Sequence, residues 1–131
     1  MHSPGVLISQ ADPRPMYVQI VEQIRRRIAV GDWPPGFELP SIRALAAATR
    51  VSVITVKRAY SDLEHDGVIV TRQGKGSFVA EQADLSARLR LAELDAHLST
   101  ATSIGRALGL SDEDLHARLR QTLTAKDRHE P

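Results

Sequence analysis

Residues Val51 to Gly67 read VSVITVKRAYSDLEHDG, and this stretch decides the fold. Ser52 is a natural N-cap, because its hydroxyl accepts a hydrogen bond from an unpaired amide of the first turn. Val56, Ala59, Tyr60 and Leu63 recur at helical spacing and share one face. Ile54, Lys57, Arg58 and Ser61 fall on or beside the opposite face, nearest the helix start. Gly67 ends the helix where a left-handed residue is wanted. The spacing therefore predicts a helix with an apolar core side and a short, basic, exposed front.

The segment before it supplies a partner. Ser41 caps a short helix, Ile42 to Thr49, with Ile42, Leu45 and Ala46 inward and Arg43 outward in its first turn. Arg50 and Val51 alone separate this helix from Ser52. A short helix, a tight connection and a second capped helix make a helix-turn-helix. Further upstream, Tyr17, Ile20, Val21, Ile24 and Ile28 form the apolar stripe of a helix that begins at Met16 and stops at Gly31. Arg25-Arg26-Arg27 face away from that stripe. They read as a phosphate contact or as a solvated helix face, and the second is preferred. Asp32-Trp33-Pro34-Pro35-Gly36 is a breaker cluster with a tight turn, in which Trp33 is expected to plug the core. Residues 1–14 are a leader. Val6-Leu7-Ile8 has the makings of a short strand, and Asp12 to Pro15 a turn that leaves Pro15 near a helix start.

After Gly67 the period changes from helical to strand-like. Val68-Ile69-Val70 and Ser77-Phe78-Val79 flank Thr71-Arg72-Gln73-Gly74-Lys75-Gly76, which predicts a hairpin with a basic tip. Its glycines lead into a strand rather than a helix, so a nucleotide-phosphate loop is the poorer reading. Three helices followed by such a hairpin form a winged helix-turn-helix over residues 15–80. The expected class is mainly α with a small β-hairpin, completed by a C-terminal helical hairpin over residues 81–131.

In such a domain the start of the third helix enters the major groove. The candidate DNA-binding residues are Arg43, Ser52, Val53, Ile54, Thr55, Lys57, Arg58, Arg72, Lys75 and Gly76. Ser52 and Thr55 offer hydroxyls to phosphate or base, and Lys57 and Arg58 offer charge, with Arg58 able to bond guanine in a bidentate way. Ile54, opposite the core face, is suited to a thymine methyl. Arg43 and Lys75 flank the helix as phosphate anchors.

Residues 15–79 resemble the DNA-binding domain of GntR-type bacterial transcription regulators. The resemblance rests on Pro15-x-Tyr17-x-Gln19-Ile20, Gly31 followed by Pro35-Gly36, Leu39-Pro40-Ser41-x-Arg43-x-Leu45-Ala46, Thr55-Val56-x-x-Ala59-Tyr60-x-x-Leu63-Glu64-x-x-Gly67, and Arg72-x-Gly74-Lys75-Gly76-Ser77-Phe78-Val79. It implies that Arg43, the first turn of the third helix and Gly76 contact DNA. One departure stands out: Val53 stands where many family members carry a polar or basic residue, which implies a different operator preference.

From Asp84 the chain is helical again. Ala87, Leu91, Leu94, Leu98 and Ala101 alternate by fours and threes as a coiled-coil-like seam. Ser99 to Ser103 lowers helix propensity and invites a bend. Leu108-Gly109-Leu110 ends the segment. Ser111-x-x-Asp114 resembles a capping box, with Leu110 and Leu115 placed as a hydrophobic staple. Leu115, Leu119 and Leu123 mark a last short helix, frayed from Lys126. Two helices enclose little by themselves, so a second copy is the simplest partner. The candidate dimerisation residues are Ala87, Leu91, Leu94, Leu98, Leu108, Leu115 and Leu119. The short helical tail resembles the YtrA subfamily, whose small C-terminal part serves dimerisation.

Composition agrees with this division. The 131 residues carry a net charge of +1. Residues 1–80 hold ten Lys/Arg against seven Asp/Glu, net +3, and residues 81–131 hold seven against nine, net −2. With 42% hydrophobic and 4% aromatic residues, aliphatic side chains must fill the core. The absence of cysteine excludes disulfides and thiolate metal sites. The start lacks the basic and apolar regions of a signal peptide, and no apolar run approaches the roughly 20 residues of a membrane span, so a cytoplasmic protein is expected. His2, His65, His97, His116 and His129 have no ligand spacing, and no catalytic constellation stands out. Neither a metal, a cofactor nor an enzymatic activity is expected.

The expected function is that of a homodimeric, sequence-specific transcription regulator on double-stranded DNA, a repressor acting at an inverted-repeat operator. A winged-helix module for protein–protein contact, with a neutral or apolar recognition face and a wing without Lys75, is the alternative class. An RNA-binding winged helix, with exposed aromatics for stacking, is another. A small-molecule effector, if one is used, is expected near residues 80–90 or inside the dimer interface.

Overall fold

The computed structural model describes residues 6, 8–9, 11–82 and 84–129, the last three as helical backbone only. The elements in chain order are α1 (Met16–Ala29), α2 (Ile42–Thr49), α3 (Val53–His65), β1 (Ile69–Arg72), β2 (Gly76–Val79), α4 (Leu85–Ala107) and α5 (Asp112–His129). They form two compact units, residues 1–90 and residues 91–131. The first unit is a winged helix-turn-helix, and its extent includes the start of α4.

In that unit α1 and α2 both pack on α3, which also borders β1. The core is aliphatic: Ile20, Ile24, Leu45, Leu63, Ile69, Leu85, Val56, Val68 and Val79 are fully buried. Each such side chain contributes on the order of 1.5–3 kcal/mol on leaving water. Trp33 is buried beside them and stacks on Phe37, with ring centroids 5.2 Å apart. Leu85 and Leu89 belong to this same core, and the Ser86 hydroxyl donates to the carbonyl of Ala29 at 2.7 Å. The first turns of α4 are thereby tied to the end of α1.

The wing differs from the sequence expectation in two respects. Its strands run further toward the tip, with Thr71 opposite Ser77 and Arg72 opposite Gly76. Only Gln73-Gly74-Lys75 remain as the turn, closed by the Lys75 amide donating to the Arg72 carbonyl at 2.9 Å. Residues 36–39 also lie along β2. The Leu39 amide donates to Ser77 at 2.9 Å, and the Val79 amide donates to Phe37 at 2.8 Å. This bridging satisfies the outer edge of β2, which would otherwise expose unpaired backbone groups.

The leader forms no strand at the described Val6 and Ile8, and Leu7 lies outside the described residues. Val6 is buried in the core. The backbone that follows is held by the buried Gln19. Its side-chain oxygen accepts from the Ser9 amide at 3.0 Å, and its Nε2 donates to the carbonyls of Ser9 and Arg14 at 3.3 and 3.2 Å.

The second unit contains most of α4 and all of α5. The helix α4 is unbroken through residues 99–103. Gly109, at φ +79°, ends it: the Leu110 amide donates to Gly105 at 2.9 Å and the Gly109 amide to Arg106 at 3.0 Å. This paired bonding is a Schellman motif. The capping box at Ser111 is reciprocal, with the Asp114 amide donating to the Ser111 hydroxyl at 3.1 Å and the Ser111 amide to the Asp114 carboxylate at 3.0 Å. The helix α5 continues to His129, past Lys126 where fraying was expected, and residues 130–131 lie outside the described residues.

Candidate nucleic-acid interface

The third helix stands on the scaffold as its caps dictate. The Ser41 hydroxyl accepts from the Ala44 amide at 3.1 Å and starts α2. Arg50 closes α2 in the left-handed region at φ 57°, turning the chain within two residues to Ser52. The Ser52 hydroxyl then accepts from the Thr55 amide at 3.1 Å and starts α3. Tyr60, buried on the core side, donates its phenol to the carbonyl of Pro40 at 2.6 Å, locking the lead into α2 onto α3. Burial raises the Tyr60 pKa above the ordinary tyrosine value, so the phenol remains a donor.

The outward face of α3 carries Val53, Ile54, Lys57, Arg58 and Ser61 among its exposed residues. Ile54 is 80% exposed and Val53 46%. Ser52 and Thr55 also share a hydroxyl–hydroxyl bond of 2.8 Å, so their oxygens face one another as well as solvent. Arg43, in the first turn of α2, is exposed.

Arg58 is exposed on this face and also engaged within the protein. Its guanidinium lies 3.7 Å from the centroid of the Tyr17 ring and donates to the Tyr17 hydroxyl at 3.0 Å. Residue 58 sits at the edge of the front where α1 packs on α3. There an aromatic face and a phenol oxygen satisfy the cation without DNA. The arginines of α1 are likewise engaged within the protein: Arg25 pairs with Asp66, and Arg27 with Asp32 at 3.0 Å. This supports reading them as a helix face rather than as phosphate contacts.

The wing presents Arg72, Lys75 and Gly76, all exposed. The Arg72 guanidinium lies 5.1 Å from the centroid of the Phe78 ring, a cross-strand contact that aligns it along the hairpin. Gly76, at φ +121°, holds a backbone conformation closed to most side chains. The wing is anchored to α3 by the Thr71 hydroxyl, which donates to the Glu64 carboxylate at 2.6 Å. Gln19, Tyr60 (beyond its expected place on the core face), Glu64 and Ser86 are positioning residues whose hydrogen bonds the sequence reading did not assign. For the first three the signal was their place among the residues that carry the family resemblance.

The dimerisation candidates separate as well. Leu91, Leu94, Leu98, Leu108 and Leu119 are exposed, as are Ile104 and Leu123. Leu115 is half-buried and serves the hairpin: a Cβ on Gly105 would come within 2.5 Å of its Cδ2. The missing side chain at Gly105 is what lets α5 approach α4 at Leu115. Ala87 stays exposed, while Leu85 and Leu89, which lie outside that seam, enter the core of the first unit. Among the described residues no cluster of His, Asp and Glu has the arrangement of a metal site. No described helix is long and apolar enough to cross a membrane.

A capped helix held by two supporting helices, its front exposed, with a basic wing beside it, defines a winged-helix transcription regulator. Residues 16–79 match the family described as bacterial regulatory proteins, gntR family. Over 102 residues the chain is 35% identical to the uncharacterized HTH-type transcriptional regulator YhcF of Bacillus subtilis, covering 78% of this chain and 84% of that one. It is 40% identical over 77 residues to the HTH-type transcriptional repressor YtrA of the same organism, covering 56% of this chain and 59% of that one. Among solved structures, a GntR family transcriptional regulator from Listeria monocytogenes superposes with a TM-score of 0.73 at 30% identity, over 84% of this chain and 96% of that one. The DNA-binding domain of AraR in complex with operator ORX1 superposes with a TM-score of 0.53 at 32% identity, over 56% of this chain and 94% of that one. The chain belongs to the GntR family, and its likeness to YtrA places it with the YtrA-like members.

Proposed function

We propose that this regulator binds an inverted-repeat operator as a homodimer and represses the promoter that the operator overlaps. The observation that carries the reading is the exposed front of α3 between two basic flanks, Arg43 from α2 and Lys75 on the wing. With α3 in the major groove, Lys57 faces the phosphate wall, and Arg43 and Lys75 hold the backbone on either side. Gly76 lets the wing backbone approach the duplex. The exposed leucines Leu91, Leu94, Leu98, Leu108 and Leu119 are apolar surface that a second copy would cover. Two copies then present two recognition helices to half-sites about one helical turn apart. The protein acts in the cytoplasm with its DNA.

The test is binding to the protein's own promoter region and to random duplex, at low and moderate salt. We expect a preferred site, bound two chains per duplex, with affinity that falls steeply with salt. Equal affinity for the promoter and random DNA would remove the reading.

A further inference from the structure

The first turn of α3 is chemically unusual for a surface that reads base edges. Its two polar side chains are occupied locally: the Ser52 hydroxyl takes the Thr55 amide and also bonds the Thr55 hydroxyl. The residues between them are Val53 and Ile54, both exposed. Ile54, at 80%, is the most exposed large hydrophobic among the described residues. It stands opposite Val56, Ala59, Tyr60 and Leu63, all of them buried, so the core has no use for it. Exposed cations flank this apolar tip along the chain, Arg43 on α2 before it and Lys57 on the next turn of α3. The surroundings therefore favour a polyanion while the tip itself favours a hydrocarbon.

The edges of B-DNA in the major groove carry one apolar group, the C5-methyl of thymine. We infer that Val53 and Ile54 are specificity-determining residues that read pyrimidine C5-methyl groups, and that the operator half-site carries thymine under this turn. The inference rests on α3 being the recognition helix. It goes further in naming the group that is read: the methyl itself rather than the A·T hydrogen-bonding pattern. Two consequences follow. Deoxyuridine, which lacks only that methyl, is a poor substitute for thymidine at the contacted position. 5-Methylcytosine there is preferred to cytosine, because it restores the methyl while leaving every other edge group of cytosine in place. A side chain that hydrogen-bonds the base would show neither effect.

The experiment uses the full chain and a duplex selected by it from a random library. Thymidines of the selected site are replaced one at a time by deoxyuridine, and wild type is compared with Ile54→Ala, Val53→Ala, the double variant and the conservative Ile54→Val. One methyl removed from water is worth about fourfold in affinity. Wild type is expected to lose about that factor at one or two positions per half-site and to keep its affinity elsewhere. Ile54→Ala is expected to bind the thymidine and deoxyuridine duplexes alike at its position, with Ile54→Val retaining the discrimination. At the same position 5-methylcytosine should outbind cytosine for wild type by a similar factor and for the double variant not at all. Thermal unfolding of each variant checks that the fold is intact, which the exposure of both side chains predicts. Indifference of wild type to deoxyuridine at every position overturns the inference while leaving the DNA-binding reading in place. Discrimination that survives in the double variant also overturns it. Failure of the library selection to enrich any duplex removes the DNA-binding reading instead.

Discussion

Arg58 and Lys57 are adjacent cations on the same helix, yet their surroundings assign them different work. The guanidinium of Arg58 is stacked on Tyr17 and bonded to its hydroxyl, joining α3 to a residue 41 positions away on α1. A cation–π contact of this kind contributes about 0.5–1 kcal/mol at a partly exposed site. Arg58→Ala should therefore lower stability in urea by about 1 kcal/mol and leave the salt dependence of operator binding near that of wild type. Lys57→Ala should do the reverse, keeping the urea midpoint while reducing the magnitude of the salt slope by roughly one phosphate contact. A salt slope reduced in Arg58→Ala as much as in Lys57→Ala would mean that Arg58 leaves Tyr17 when DNA arrives. Gln19 shows the same logic on the other side of α1. A buried amide that bonds the leader's backbone has its polar atoms satisfied, so its burial costs little.

The helices are governed by their ends and by the room between them. In the second unit Gly105 is where α5 comes closest to α4, and an added Cβ would meet Leu115 Cδ2 at 2.5 Å and Cγ at 3.2 Å. Gly105→Ala should gain about 1 kcal/mol in helix propensity but lose about 1–3 kcal/mol to overpacking. The net expectation is a lower melting temperature. Leu115→Ala placed on top should recover part of the loss, and strict additivity of the two changes would contradict the packing. The α5 start carries a pH dependence. The Ser111 backbone and then its hydroxyl hold the Asp114 carboxyl below the usual carboxylate range, and the Arg106 guanidinium does the same for Asp112. Both groups are depressed in the folded state, so their stabilisation is complete above the ordinary carboxylate pKa. It is lost as pH falls through the lower folded values. The protection factors of the amides in the first turn of α5 should be steady at neutral pH and fall selectively below about pH 4. Asp114→Asn should remove most of that selective change.

For the molecule as a whole, charge and apolar surface are distributed between the two units. The front half is net +3 and the rear half net −2, and the exposed leucines of α4 and α5 lie in the rear. Under the proposed assembly, Leu94→Asp with Leu98→Asp should yield a monomer by light scattering while the first unit keeps its fold. Operator affinity should then fall by an order of magnitude or more, because two linked half-sites bind far more tightly than one. A dimer unchanged by that double substitution would place the interface elsewhere. The Ile54 and Val53 variants test a separate matter, since they alter which duplex is preferred and not how many chains occupy it.

The elements whose causes lie within one turn of chain were legible in the residues. Caps at Ser41, Ser52 and Ser111, stops at Gly31, Gly67 and Gly109, and the apolar periods between them are local chemistry. They sufficed for α1, α2, α3, the hairpin and the reciprocal capping box. Through the ordered match of Pro15 to Val79 they sufficed for the family as well. What local pattern left open was each choice between partners far apart in the chain. Arg58 could equally have faced solvent, but the α1 packing offered it Tyr17. Leu115 reads like Leu119 by spacing, yet Gly105 gave only the former a place to lodge. Leu85 and Leu89 lie on α4 outside the seam of Ala87, Leu91, Leu94 and Leu98, and enter the first core. Residues 36–39 have no strand pattern, and they pair with β2 because its edge needed hydrogen bonds. Periodicity states which side of an element is apolar; which neighbour covers that side is a property of the assembled core.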